Sequence, residues 1–344
     1  MAAAERIVVV GGSAGGIEAL TALVAELPRG LEAAVLVALH VPADATSRLP
    51  EILSRAGSMR AEHVEDVQEL ASGRIFVAPP DRHLVVEEGR VKATRGPREN
   101  RHRPAVDPLF RSAARWYGQA VVAVLLSGGL GDGIAGTQAV KERGGVPMIQ
   151  DPDEALFPGM PASVRDLVQH DHCLPAAEIG RLLPTILAGS APRSEARDEG
   201  IVYETDIAEL DTDALEGDGR QGKQSAYGCP ECGGVLWELD DGSSLRYRCR
   251  VGHAYAVEAL QESQSAEIER ALWSALRALE EKAGLAQRMA DRARGRGHAE
   301  AERLHRSRAA EADRQAVALR ELLLDPGPLD RPGALEPGIA EAHE

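Results

Sequence analysis

Residues 7–20, Ile-Val-Val-Val-Gly-Gly-Ser-Ala-Gly-Gly-Ile-Glu-Ala-Leu, run a buried-type strand into a glycine-rich turn and directly on into a helix-compatible segment. Ser13 stands at the tip of that turn, inside Gly11-x-Ser13-x-Gly15. This is the pattern in which a sharp strand-to-helix turn lifts a nucleophilic hydroxyl above the carboxyl edge of a sheet. Glycines on either side permit tight dihedrals and close backbone approach. A phosphate-binding loop is the other use of strand, glycines and helix. It fits less well, because G-x-G-x-x-G needs glycine where Ser13 stands and no Gly-Lys-Ser/Thr follows.

From this turn to about Leu187, strand-like and helix-like segments alternate. Ala33–Leu39, Ser72–Pro80, Gln119–Leu126 and Val146–Ile149 read as strands. Ile17–Leu27, Asp107–Tyr117, Ile134–Arg143, Ser163–Gln169 and Ala176–Leu187 read as helices, and Ser47 is placed to cap a short one through Leu53. His83–Glu87 and Arg90–Thr94, joined by Glu88-Gly89, read as a hairpin. Continuous apolar strands alternating with helices predict an α/β fold with a doubly wound parallel sheet over residues 1–188.

The 344-residue chain has room for one such core and a smaller module. Its net charge of -15 argues against a general nucleic-acid binder or a protein of anionic membrane surfaces. No apolar run reaches the length of a membrane span, and Met1–Arg6 is no signal peptide. The expectation is a cytoplasmic protein, not inserted in a membrane. Residues 189–225, rich in Ser, Pro, Gly, Gln and acidic side chains, read as a flexible acidic linker. A cysteine-bearing module follows at 226–256, then an amphipathic helical pair at 257–325 carrying the stripes Ile268, Leu272, Leu276, Leu279, Ala283 and Ala309, Ala312, Ala316, Leu319, Leu323. Residues 326–344 read as a disordered tail.

Ligands of open α/β sheets bind beyond the carboxyl ends of the strands. Three such ends carry useful side chains: Ser13, His40 and Asp132. A hydroxyl, an imidazole and a carboxylate on one edge are the parts of a hydrolytic triad. His40 would serve as base and then acid, and Asp132 would hold the imidazole tautomer. An oxyanion would meet backbone amides, that of Ala14 first and those of Gly129 and Leu130 in the glycine-rich loop second. His83, His102, His170 and His172 are rival bases, with His102 the strongest because it lies in a loop.

These residues resemble a known family. Gly11–Gly16, Leu39-His40-Val41-Pro42, Ile75–Leu84, Arg103–Phe110 and Leu126–Gly133 are similar, in order, to the chemotaxis protein-glutamate methylesterase (CheB-type) catalytic domain, over residues 5–188. The resemblance implies a doubly wound parallel fold and a triad of Ser13, His40 and Asp132. It also implies hydrolysis of γ-glutamyl methyl esters on chemoreceptor-type proteins with release of methanol, without a catalytic cofactor, and deamidation of glutamines in some members. Relatives carry glycine where this chain has Leu130, which stiffens the acid loop. They also carry an N-terminal receiver domain, and here the catalytic domain starts at the first residues. Control is therefore expected from the C-terminal half or from another protein, such as a separate response regulator or a receptor methyltransferase. The one basic run, Arg90–Arg103, either steers an acidic helical substrate through Arg98 and Arg101 or is a solvated hairpin.

Cys229-x2-Cys232 and Cys249-x3-His253 form two close ligand pairs, the spacing of a tetrahedral structural zinc site of ribbon type. A redox dithiol is the alternative, and it lacks its βαβ context. The ribbon and helical pair resemble an extension found on some receiver-less members of the family. The helices either dock a partner or form a homo-oligomer, or they merely cover the ribbon. Outside the methylesterase reading stand a serine esterase or amidase with another substrate, and a catalytically weak signalling scaffold bound through the C-terminal module.

Overall fold

The computed structural model describes residues 4–129, 131–189, 199–209, 222–240 and 244–324. Its first half alternates β1 (Ile7–Gly12), α1 (Gly16–Ala25), β2 (Ala34–Leu39), α2 (Leu49–Ala56), β3 (Arg60–His63), β4 (Val67–Glu69) and β5 (Arg74–Val77). The hairpin β6 (His83–Glu87) and β7 (Arg90–Thr94) precedes α3 (Val106–Tyr117), β8 (Val121–Leu125), α4 (Ile134–Glu142) and β9 (Val146–Gln150). Then come α5 (Gly159–Leu167), β10 (His172–Leu174), α6 (Ala176–Gly189) and α7 (Glu199–Glu209).

Seven strands form one sheet in the order β10-β9-β8-β1-β2-β5-β3, and every pairing in it is parallel. Alternate residues of β1 point to opposite layers. Ile7 and Val9 join a core with Leu109, Phe110 and Ala113 of α3, whereas Val8 and Val10 join one with Leu20, Leu23 and Leu53 of α1 and α2 and Ile179 of α6. Burial on both faces explains why these strands read as unbroken apolar runs. The doubly wound parallel sheet is as expected. The strand β4 pairs with the β6–β7 hairpin in a separate antiparallel sheet.

Two edge strands, β3 and β10, escape the apolar pattern because edges are short and half exposed. α5 begins at Gly159, four residues before the expected start, with Pro161 in its first turn, where a missing N–H costs nothing. The expected flexible linker contains a helix: α7 packs on α3 and buries Glu204, Thr205, Ile207 and Ala208. The acidic composition misleads there because the partners of Glu204, Arg111 and Arg246, come from distant segments.

The C-terminal module is a four-stranded antiparallel sheet, β11 (Lys223–Gly228), β12 (Val235–Asp240), β13 (Leu245–Cys249) and β14 (Ala254–Ala256), in that spatial order. Residues up to Leu260 form one compact unit and those from Gln261 a second. The second holds most of α8 (Val257–Gly295) and all of α9 (Ala299–Leu324). They run antiparallel around Gly297, at φ +72°, and bury Ala283, Ala286, Ala290, Ala309, Ala312 and Ala316. Leu276 joins this stripe, whereas Ile268, expected in it, is 48% exposed. Leu130, most of the expected linker and the tail 326–344 lie outside the described residues.

Candidate active site

β1 and β2 end side by side. Their last paired residues are Gly12 and Leu39, and His40 N donates to Gly12 O at 3.1 Å. Ser13 and His40 therefore leave neighbouring strand ends at the same level. Gly15, at φ +70°, swings the chain from the turn into α1. A Cβ at that glycine would lie 2.6 Å from Ser127 Oγ, so only glycine fits.

Ser127 pins the turn. Ser13 N donates to Ser127 O at 2.9 Å. The Ser127 hydroxyl donates to Ala14 O at 2.8 Å and accepts from Phe157 N at 2.9 Å. Its own N–H donates to Gln150 Oε1 at 2.8 Å. The N–H groups of Ala14 and Gly129 are not among the backbone donors spent on this framework.

Asp132 follows β8 and is fully buried. Its Oδ2 lies 2.6 Å from His40 Nε2 and accepts from Val106 N at 2.7 Å. Its Oδ1 accepts from Asp107 N at 3.2 Å and Asn100 Nδ2 at 3.0 Å. Burial alone would raise the Asp132 carboxyl. The His40 hydrogen bond and charge, the Val106 N–H at the start of α3 and His102 outweigh it and hold the group well below the usual carboxylate range. The neighbouring Asp107 goes the other way, pushed up by burial and by the Asp132 charge; it accepts from Gly136 N at 2.6 Å.

With Nε2 committed to Asp132, the free lone pair of His40 is on Nδ1. That nitrogen is buried and has no hydrogen-bond partner, so no Ser13–His40 hydrogen bond is formed in this geometry. Such contacts often close only when substrate is bound. The arrangement can supply a general base whose far side is fixed by a carboxylate, beside a hydroxyl at a helix N-terminus.

The rival histidines take other places. His83 is fully buried, with Nδ1 accepting from Ala105 N at 3.2 Å and Nε2 3.0 Å from Pro97 O. His102 stacks on His40. His170 Nδ1 lies 3.2 Å from the carbonyl of Val168, and His172 sits in the edge strand β10. Arg98 pairs with Glu231 of the cysteine module at 3.6 Å, while Arg101 is exposed at the tip of its loop. Sequence reasoning missed Asn100, which touches the catalytic-edge carboxylate, and Ser127, Gln150 and Met160, which frame the turn. An asparagine inside a basic run was the only available signal for Asn100.

The four module ligands come together: the donor atoms of Cys229, Cys232, Cys249 and His253 all lie within 4.8 Å of one another. Cys232 and Cys249 sulfurs are 3.7 Å apart, and His253 Nδ1 is 3.7 Å from Cys229 and 3.5 Å from Cys249. A tetrahedral zinc, with sulfur at about 2.3 Å and nitrogen at about 2.0–2.1 Å, has sulfur–sulfur edges of about 3.8 Å and sulfur–nitrogen edges of about 3.5–3.6 Å. The donor set therefore fits that ion in number, softness and spacing.

A serine on a strand-to-helix turn, a histidine on the next strand end and a buried carboxylate bonded to it, at the carboxyl edge of a parallel sheet, define an α/β enzyme of the serine-hydrolase class. The chain belongs to the CheB methylesterase family, whose model matches residues 8–183. A Leptospira interrogans protein provisionally named protein-glutamate methylesterase/protein-glutamine glutaminase is 32% identical over 176 residues, 51% of this chain and 91% of that one. The Myxococcus xanthus protein-glutamate methylesterase/protein-glutamine glutaminase 5 is 38% identical over 48% of this chain and 49% of its own length. The crystal structure of the Thermotoga maritima CheB methylesterase catalytic domain superimposes with a TM-score of 0.51 at 32% identity, covering 53% of this chain and 98% of that one.

Proposed function

We propose that this chain hydrolyses glutamate methyl esters on methylated chemoreceptor-type proteins, releasing methanol, and deamidates glutamines by the same chemistry. Ser13 Oγ attacks the ester carbonyl while His40 Nδ1 takes its proton. The oxyanion is met by the N–H groups of Ala14 and Gly129. His40 then returns the proton to the leaving methoxide, and water hydrolyses the acyl-enzyme by the reverse relay. Asp132 holds the Nε2–H tautomer and offsets the imidazolium charge. The observation that carries this is the 2.6 Å His40–Asp132 contact, which leaves Nδ1 as the basic nitrogen beside the strand end bearing Ser13.

The Cys229, Cys232, Cys249 and His253 cluster is read as a structural zinc site with all four positions filled by protein, so it takes no part in the chemistry. Arg98, which lies 3.6 Å from Glu231, and Arg101 steer an acidic helical substrate toward the site. No helix among the described residues is long and apolar enough to cross a membrane, which suits a cytoplasmic enzyme. Control by a separate response regulator, and self-association through α8 and α9, complete the proposal.

Methanol release from methylated receptor tests it. The parent chain is expected to release methanol and Ser13→Ala to release none above background. A parent that cleaves a generic ester but releases no methanol would transfer the chain to the esterases of other substrates.

A further inference from the structure

The segment before α3 makes a tight reverse turn against the site. Glu99 and His102 exchange both backbone hydrogen bonds, at 3.3 and 2.9 Å. The two residues between them, Asn100 and Arg101, have φ of +50° and +72°. Two side-chain-bearing residues in the left-handed region store strain, and such a turn persists only when its surroundings hold it.

It is held from two sides through Asn100, which is 3% exposed. On the inner side, Asn100 Nδ2 donates to Asp132 Oδ1 at 3.0 Å and to Asp107 Oδ2 at 3.1 Å. On the outer side, Asn100 N donates to Ala254 O at 2.8 Å and Asn100 Oδ1 accepts from Ala256 N at 2.7 Å. Both outer partners belong to β14, the strand that begins one residue after the ligand His253. The residue that opens the turn, Glu99, is 2% exposed and lies between Arg111 of α3, at 2.6 Å, and Arg248, at 3.2 Å. Arg248 immediately precedes the ligand Cys249.

We infer that Asn100 is a positioning residue for the Asp132 carboxylate and that the four-ligand ribbon is the clamp that holds Asn100 in place. The inference rests on the catalytic roles proposed for His40 and Asp132 and adds how their geometry is set. Without Asn100, Asp132 Oδ1 keeps only the longer contact from Asp107 N, and the angle of the carboxylate to His40 is set almost entirely through Oδ2, by Val106 N and His40 itself. The ribbon in turn has a small core, Cys229, Leu236, Tyr247, Cys249, Tyr255 and Leu260, and two of those six residues are ligands. A sheet that small depends on its ligand cluster for order. Loss of the cluster would loosen β14, then the turn, then Asp132. The hydrolytic site is thus completed by a module outside the catalytic sheet.

The test uses the full chain, with p-nitrophenyl acetate as a small ester that needs no receptor docking. A second readout is the strongly deshielded proton resonance of the His40–Asp132 hydrogen bond. Asn100→Gly keeps the left-handed backbone. It is expected to fold with the parent's metal content and a lowered melting temperature, lose about tenfold to a hundredfold in kcat at unchanged KM, and shift or broaden that resonance. Cys229→Ser with Cys232→Ser is expected to lose metal and show the same two effects. Ala256→Pro, which removes the N–H facing Asn100 and leaves all four ligands, reports on the clamp if the cysteine variant does not fold.

Parent-like ester kcat and resonance in folded Asn100→Gly would overturn the positioning role. The same result in the cysteine variant, with only receptor demethylation lost, would overturn the clamp and make the ribbon a docking element. If the parent releases no methanol from receptor while the resonance still responds to both variants, the substrate proposal fails and the clamp stands.

Discussion

The imidazole of His102 lies flat on that of His40, with ring centroids 3.7 Å apart and planes 12° from parallel. Burial first, and the adjacent His40 second, depress the pKa of His102 to about 4. A neutral ring can therefore cover His40 while His40 becomes an imidazolium, and two stacked cations are avoided. The loop histidine thus covers the ring proposed as the base. Stacked aromatic pairs contribute about 0.5–1.5 kcal/mol, so His102→Ala should lose about two- to tenfold in kcat. His102→Phe, which keeps the stack and cannot titrate, should stay near the parent in steady-state ester assays.

Gly128 separates Ser13 from the chain that follows Phe157. A Cβ there would lie 2.9 Å from Ser13 Cβ and would also collide with Met160 Sδ. Gly128→Ala should therefore displace Ser13 and lower kcat by about a hundredfold, the cost typical of an ångström-scale misplacement. Adding Met160→Ala should recover part of that loss, because it removes the more flexible of the two obstructions; a double-variant kinetic cycle measures the recovery.

Stability should fall on the acid side of neutrality through His83. Burial, the largest influence, depresses its pKa to about 4 from 6.5. Between those values the unfolded chain binds a proton that the folded chain refuses. Stability is thus fully present above about pH 6.5, declines as pH falls, and is lost by about pH 4 to the extent of about 3 kcal/mol. Urea unfolding at several pH values should show this slope in the parent and a shallower one in His83→Gln.

The ribbon is registered on the catalytic unit by buried charge. Glu204 of α7 lies 2.8 Å from Arg111, 3.0 Å from Arg246 and 3.4 Å from Arg248. Burial would raise the Glu204 carboxyl, but the three guanidiniums hold it well below the usual range. Glu204→Ala removes the carboxylate shared by three buried arginines, of which Arg111 and Arg248 keep Glu99, and should cost about 3–5 kcal/mol. The loss should be nearly independent of salt, since buried pairs are poorly screened; calorimetric unfolding at low and high ionic strength checks both statements.

Much of the site was legible in the chain because its parts are local. Strand, Gly-x-Ser-x-Gly and helix lie within fourteen residues, and the geometry of that turn is set by its own glycines. Likewise, two ligand pairs at short spacing announce a tetrahedral cluster before any fold is known. The parallel sheet followed from apolar runs buried on both faces. α7 did not follow, since its charged residue is tolerable only beside arginines about 40 and 90 positions away. Nor did Asn100, whose four hydrogen bonds reach Asp107, Asp132, Ala254 and Ala256.

By itself, the sequence determined the turn that presents Ser13, the strands that bring His40 and Asp132 to the same edge, and the ligand set of the ribbon. Tertiary structure alone decided which nitrogen of His40 meets Asp132, that His102 covers the ring, and that β14 reaches Asn100 at the back of the acid. The physical reason is range. Backbone dihedrals and apolar periodicity act between neighbours in sequence, whereas hydrogen bonds and buried ion pairs join whatever groups the folded chain brings within about 3 Å.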